Sequence, residues 1–281
     1  MIISTFKKAL ADQAHDTMIM GILNVTPDSF SDGGKYATVD SAVNHALEME
    51  AQGADIIDIG GESTRPGSDP VSQDEELHRV IPVIEALRRK STITISIDTY
   101  KSAVAEQALK AGADLINDIS GFRFDLDMVD LAIETGVPVI IMHIKGAPRN
   151  MQKNPRYDDV IKEIRTYFRE RLRFAQGAGL ANEQIILDPG IGFGKRLEDN
   201  FVLLNHLDKL VKLGFPVLVG PSRKSFIGNV LKAPVNGRLE GTAAAVTASI
   251  LQGARIVRVH DVAAMKKVAV VSDYIRRGGQ A

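Results

Sequence analysis

Eight short apolar runs recur along this chain, and each closes on a polar residue or glycine. They are MIMGILN at 18–24, DIIDIG at 55–60, ITISID at 93–98, LIND at 115–118, VPVIIMH at 137–143, IILD at 185–188, PVLVG at 216–220 and RIVRVH at 255–260. Seven lead directly into a stretch with helical spacing, while the run at 137–143 leads first into a loop. Continuous apolar character fits strands buried on both faces, as in a parallel sheet. Strand and helix alternating eight times predicts an α/β fold, a single (β/α)8 TIM barrel, whose polar strand ends meet on one rim.

The 281 residues suit one such barrel and leave no need for a second domain. No Pro- or Gly-rich linker divides the chain, so 1–281 reads as one domain with 1–17 as an N-terminal extension. An internal echo supports repeated units: AQGADIIDI at 51–59, AGADLINDI at 111–119 and LQGARIVRV at 251–259. In each, a glycine stands where a helix must stop in the left-handed region before a strand begins. Val80, Val83, Ile84 and Leu87 mark one helix at the expected spacing, and Val43, Ala46, Leu47 and Glu50 another. The segment 157–176 reads as a longer helix with a solvated outer face.

Net charge is −1, from 34 basic and 35 acidic residues, so a nucleic-acid partner is disfavoured. There is no cysteine, which removes thiolate catalysis, disulfides and cysteine-bound metal. The N-terminus lacks the apolar core of a signal peptide, and no run reaches the ~18 residues of a membrane span. A cytoplasmic protein is expected.

Three stretches exceed plain connections: TPDSFSDGGKY at 26–36 and GESTRPGSDPVSQD at 61–74, which follow strands 1 and 2, and HIKGAPRNMQKNPR at 143–156. Long loops on the active rim are usually functional. Asn24, closing the first run, offers a neutral oxygen to a hard cation such as Mg²⁺, or simply closes a turn. Asp98, Asn117 with Asp118, and Asp188 end three strands. Carboxylates there are costly unless paired, and at one level they suit a flat heterocycle rich in N–H donors better than helix capping. Ser222, Arg223 and Lys224 open a short helix after strand seven. Asp261 is placed to cap the last helix, and Arg258 and His260 point the same way from strand eight. That corner is the usual phosphate site of such barrels. The competing reading pairs Arg258 and His260 with carboxylates inside the barrel, and spacing alone leaves both open. DPGIGFGK at 188–195 has neither the GxGxxG nor the GxxxxGK frame, so it reads as a glycine-rich turn with Phe193 as an apolar wall. His143 has no second ligand at metal spacing and reads as structural.

NVTPDSFSDGG at 24–34, DIGGESTRPG at 58–67, SIDTYK at 96–101, INDISG at 116–121, LDPGIGFGK at 187–195, SRKSFIG at 222–228 and RVHDV at 258–262 together resemble the dihydropteroate synthase family. The match is collinear over nearly the whole chain. Pro221 and Ile144 depart from the pattern only beside motif residues. The resemblance implies condensation of 6-hydroxymethyl-7,8-dihydropterin diphosphate with 4-aminobenzoate, giving 7,8-dihydropteroate and pyrophosphate. It implies Asp98, Asn117, Asp188 and Lys224 on the pterin, Thr64, Arg65, Arg258 and His260 on the diphosphate, and Asn24 on Mg²⁺. Phe30, Pro66, Phe193 and Ser222 would shape the aminobenzoate site. Of these, Asp98, Lys224, Arg258 and His260 are the expected catalytic set. The resemblance also implies a homodimer and sensitivity to sulfonamides. The alternatives are a pterin-dependent methyltransferase barrel and a non-catalytic pterin binder, neither of which needs the cationic corner.

Overall fold

Each apolar run becomes a parallel strand in a computed structural model, which describes residues 6–8, 10, 12, 15–26, 35–65 and 67–280. The strands are β1 Met18–Asn24, β2 Ile56–Gly60, β3 Thr94–Asp98, β4 Leu115–Asp118, β5 Val139–Met142, β6 Ile185–Asp188, β7 Leu218–Val219 and β8 Ile256–Val259. Neighbouring strands pair in parallel in the order β6-β5-β4-β3-β2-β1-β8-β7. A parallel bridge between Leu187 and Val217 brings β6 against β7 and closes the barrel. The run at 216–220 shrinks to a two-residue strand, because this seam is held by single contacts such as Leu187 N–H to the Pro216 carbonyl at 2.9 Å.

Between the strands run α1 Lys35–Ala51, α2 Gln73–Arg88, α3 Ser102–Ala111, α4 Asp127–Thr135, α5 Val160–Ala178, α6 Leu197–Asn205, α7 Asp208–Val211, α8 Ser225–Leu231, α9 Leu239–Leu251 and α10 Val262–Arg276. The three echoed glycines lie beyond helix ends at positive φ: Gly53 at 99°, Gly112 at 116° and Gly253 at 98°. There the chain turns at little cost because no Cβ opposes it. In α5, Ile164, Phe168, Leu172 and Ala175 are buried one turn apart, and Asp159 caps the start by accepting from Lys162 N–H at 2.9 Å. No helix among the described residues is long and apolar enough to cross a membrane.

Alternation along each strand divides the apolar residues into two layers. Outward residues such as Ile57, Ile95, Val139 and Val257 join the helices in the main core. Inward residues Met18, Met20, Ile56, Leu115, Ile140, Ile186, Leu218 and Ile256 fill the lower barrel, and Phe6 and Leu10 of the N-terminal extension pack onto them. Arg255 fastens that extension by donating to the carbonyls of His15 and Asp12. Phe6 and Leu10 thus lie under the barrel as its floor, a role that the sequence did not disclose. Above this apolar layer the inward positions turn polar, and the site begins.

Candidate active site

The upper interior is a column of buried polar side chains. One step above Ile56 stands Asp58, fully buried, and one step above Ser96 stands Asp98. Register sets Asp98 beside Asn117 and beside Gly60. A Cβ at Gly60 would lie 3.4 Å from that of Asp98, so the small residue leaves room at the rim. Arg258 enters this column from β8. Its Nε donates to Asp58 Oδ2 at 2.6 Å and its Nη2 to Asp98 Oδ2 at 2.7 Å. Asn117 Nδ2 donates to the same Asp58 oxygen at 3.1 Å. Asp58 Oδ1, Asp98 Oδ1, Asn117 Oδ1 and Ser96 Oγ are buried with no hydrogen-bond partner in the protein. Such orphaned acceptors are expensive in a folded interior. Four in one column define a surface made to receive N–H donors.

The opposite wall comes from β6 and the turn after β7. Asp188 accepts from Gly190 N–H at 2.7 Å, and burial raises its carboxyl above the ordinary range against the pull of Lys224. Lys224 reaches over the Phe193 ring, 4.5 Å from its centroid, and donates to the Ile191 carbonyl. Gly192, at φ +82°, lets it pass: a Cβ there would lie 2.9 Å from Lys224 Cδ. Burial draws the Lys224 ammonium down to about 7, and the carboxylates of Asp188 and Asp98 oppose that fall. Burial likewise lifts Asp98, with Arg258 restraining it. Burial also works against the charge on Arg258, but Asp58 and Asp98 outweigh it and hold the guanidinium above its usual value. Asp98, Asn117, Asp188, Lys224 and Arg258 therefore share one compartment.

At the lip, His260 Nδ1 lies 3.0 Å from Ser222 Oγ, and its backbone N–H donates to the same oxygen at 3.1 Å. Burial, then the charges of Arg258 and Arg223, keep the imidazole down at about 4, and Arg65 adds to this effect. Arg65, exposed on its loop with half-buried Thr64 before it, thus lies within electrostatic reach of this corner. Phe30 and Pro66 lie outside the described residues, as does most of the loop at 26–36.

Two details differ from the sequence expectation. Asp261 holds the N-cap position of α10, but its carboxylate binds Arg223 Nε at 2.9 Å and makes no cap bond, because the guanidinium is the stronger partner. That pair braces the turn before α8, which starts at Ser225 rather than at Ser222. Asp118 does not face the slot with Asn117. It accepts from the N–H groups of Ser120 and Phe122 at 2.7 and 2.6 Å and folds the turn after β4. Arg258 does pair with interior carboxylates, while its strand neighbour His260 instead meets Ser222 at the lip.

Two contributors were passed over in the sequence. Asp58 was visible as an acid at an inward position of DIIDIG, between Ile56 and Gly60. Lys195, almost wholly buried, sits 3.0 Å from His143 Nδ1 and donates to the Phe193 carbonyl at 3.0 Å, locking the 190–195 turn. Nothing in its sequence context marks it as buried. His143 is correspondingly enclosed, with its basicity depressed by burial and by Lys195.

Among the described residues no group of three or more His, Asp or Glu is arranged to hold a metal. Asn24, half-buried at the rim end of β1 and in register with Gly60, offers one amide oxygen. That donor set fits a hard cation taking the rest of its shell from a diphosphate and water, and no other kind.

The profile of a family described as pterin binding enzymes matches residues 20–260. A dihydropteroate synthase of Synechocystis is 51% identical over 271 residues, covering 96% of this chain and 94% of its own. The FolP dihydropteroate synthase of Clostridium difficile, solved in the presence of pteroic acid, superposes with a TM-score of 0.89 at 49% identity, over 94% of this chain and 98% of its own. That of Xanthomonas albilineans, solved with 4-aminobenzoic acid, gives 0.88 at 44%, over 94% of each. The chain belongs to the pterin-binding enzymes and, within them, to the dihydropteroate synthase family.

Proposed function

We propose that this chain condenses 6-hydroxymethyl-7,8-dihydropterin diphosphate with 4-aminobenzoate, with the pterin held in the polar column and its diphosphate at the lip. The observation that carries this reading is the column itself: orphaned acceptors on Asp58, Asp98, Asn117 and Ser96 face Asp188 and Lys224 across one interior. A bicyclic ring bearing an amino group and ring N–H donors would satisfy those acceptors.

The reaction breaks the bond between the pterin methylene and the diphosphate oxygen, and the electron pair leaves with pyrophosphate. The amine lone pair of aminobenzoate forms the new C–N bond, and its proton passes to solvent. An aromatic amine is neutral near pH 7 and needs no strong base. Leaving-group stabilisation and positioning therefore carry the rate. Arg65 neutralises the diphosphate at the lip, Thr64 and the neutral imidazole of His260 orient it by hydrogen bonds, and Arg258 stands beneath them. Asp98, ionised, stabilises positive charge on the pterin methylene. Phe193, Ser222 and the aliphatic stem of Lys224 wall the second substrate, and Phe30 and Pro66 complete its site. Asn24 would hold Mg²⁺, which would supply Lewis-acid neutralisation of the leaving group.

The reading includes a homodimer in the cytoplasm. Support for pairing comes from α9 and α10, where Leu251, Val270, Val271, Tyr274 and Ile275 are exposed together. The test of function mixes purified protein, Mg²⁺, pterin diphosphate and aminobenzoate. Pyrophosphate is released in step with dihydropteroate. Pterin binding without release leaves a silent binder or a methyltransferase barrel in its place.

A further inference from the structure

Two motif residues of SIDTYK and one of DIGGESTRPG take no part in the site above, yet they meet. Lys101, at the start of α3, donates to Glu62 Oε2 at 2.6 Å, to the Val71 carbonyl at 2.7 Å and to Glu76 Oε2 at 2.5 Å. Tyr100 donates its hydroxyl to Glu62 Oε1 at 2.9 Å, and Val71 N–H reaches Glu62 Oε2 at 3.3 Å. The side chains of Glu62 and Glu76 are 7% and 1% exposed, so this is an interior cluster.

Its position in the chain gives it meaning. Glu62 is the second residue beyond the end of β2, after Gly61, and Val71 immediately precedes the Ser72 cap of α2. Lys101 thus grips both ends of the segment that carries Thr64 and Arg65, and anchors them to α2 through Glu76. A cross-link whose only purpose was to join α2 to α3 would need Glu76 alone. Instead two of its three acceptors are the two sides of one loop base. Arg79 holds only the first side, through the Gly61 carbonyl at 2.8 Å. Between the two sides, the bonds among the described residues are local: Ser68 Oγ donates to the carbonyls of Ser63 and Arg65, Ser68 N–H to the Arg65 carbonyl at 3.1 Å and Arg65 N–H to Ser63 Oγ at 3.4 Å, while Gly67 N–H reaches outside the loop to the Pro148 carbonyl at 3.1 Å. None of these ties the loop to the barrel wall that Lys101 holds, so the stem is fixed at its base. The cluster also lies close behind Asp98, whose carboxyl feels the Glu76 charge.

We propose that Lys101 is a positioning residue of the condensation: by clamping Glu62 to Val71 it sets where Thr64 and Arg65 hang over the barrel mouth. This rests on the reading that the mouth receives the diphosphate and aminobenzoate. A tether on the loop acts on whatever binds under the loop; the cluster reaches the ring only through the charge of Glu76 on Asp98, which a variant lacking that charge removes from the comparison.

The experiment uses the full-length protein and three variants. Lys101→Met raises KM for the pterin diphosphate, which Thr64 and Arg65 face, at least about fivefold, and in the triple variant below, where the Glu76 charge near Asp98 is gone, the affinity for free pterin read by calorimetry stays within about twofold. Amide exchange across 62–72 speeds up in the single variant. Lys101→Met alone strands two buried carboxylates and loses thermal stability for that reason. The triple variant Lys101→Met, Glu62→Gln, Glu76→Gln removes those charges, regains stability and keeps the raised KM. Lys101→Arg retains the charge and brings KM back towards the starting value. A KM restored together with stability in the triple variant overturns the proposal, as do unchanged exchange across 62–72 or an equal loss of free-pterin affinity. Absence of pyrophosphate release by the unaltered protein refutes the functional reading instead, and the exchange measurement still decides whether Lys101 holds the loop.

Discussion

Arg258 Nε stands 2.6 Å from Asp58 Oδ2, inside the barrel and beneath every substrate-facing group at the lip. The Asp58 carboxylate is fully buried, and its second oxygen has no protein partner. Removing one member of such a pair leaves an uncompensated charge in the interior. Arg258→Met, which strands the buried carboxylates of both Asp58 and Asp98, is expected to cost about 3–5 kcal/mol of folding stability, measured by chemical denaturation. A loss below about 1 kcal/mol, the range of exposed pairs, would mean that the pair is solvated.

Asp188 acts on ligand rather than on fold. One of its oxygens already serves Gly190 N–H. Asp188→Ala should weaken binding of free pterin by about 1–3 kcal/mol, the cost of leaving buried donors unmatched. Calorimetry showing unchanged affinity would place the ring elsewhere.

The pH dependence follows from two opposed burials. Burial lifts Asp98 above the ordinary carboxyl range, and burial draws Lys224 down to about 7. Turnover that needs Asp98 ionised rises as pH climbs through its raised value. Turnover that needs Lys224 charged falls as pH passes about 7. kcat/KM is therefore bell-shaped, with apparent limbs belonging to the pair. Lys224→Arg keeps its charge, so the falling limb should move up by more than about one pH unit. A falling limb that stays in place assigns it to another group.

Arg65 separates tail from ring. It is exposed on its loop yet lowers the basicity of His260 at the lip. Arg65→Met should raise KM for the pterin diphosphate by about tenfold and leave free-pterin affinity unaltered, as the loss of one charge-assisted contact of ~1.5 kcal/mol implies. Equal weakening of both ligands would place Arg65 on the ring.

The barrel was legible because the strands read as short apolar runs in alternation with helices, and because the glycines of the internal echo take the left-handed turn the pattern demands, as at Gly112. The convergence of Asp98, Asn117 and Asp188 was legible too, since strand ends in a closed parallel barrel share a level. What stayed hidden depends on partners far apart in sequence. Asp261 looks like a cap until Arg223, 38 residues away, is seen to hold it. Asp118 and Asn117 are adjacent, yet one folds a turn and the other faces the column, since neighbours on a strand point apart. Asp58 went unremarked because one acid in an apolar run gives no sign of the arginine 200 residues on that neutralises it.

The apolar plug of Met18, Met20, Ile56, Ile140 and Ile256, with Phe6 and Leu10 beneath it, closes the barrel from below. The polar column therefore has one doorway, at the rim, and any ligand of the column must share it with whatever is seated above.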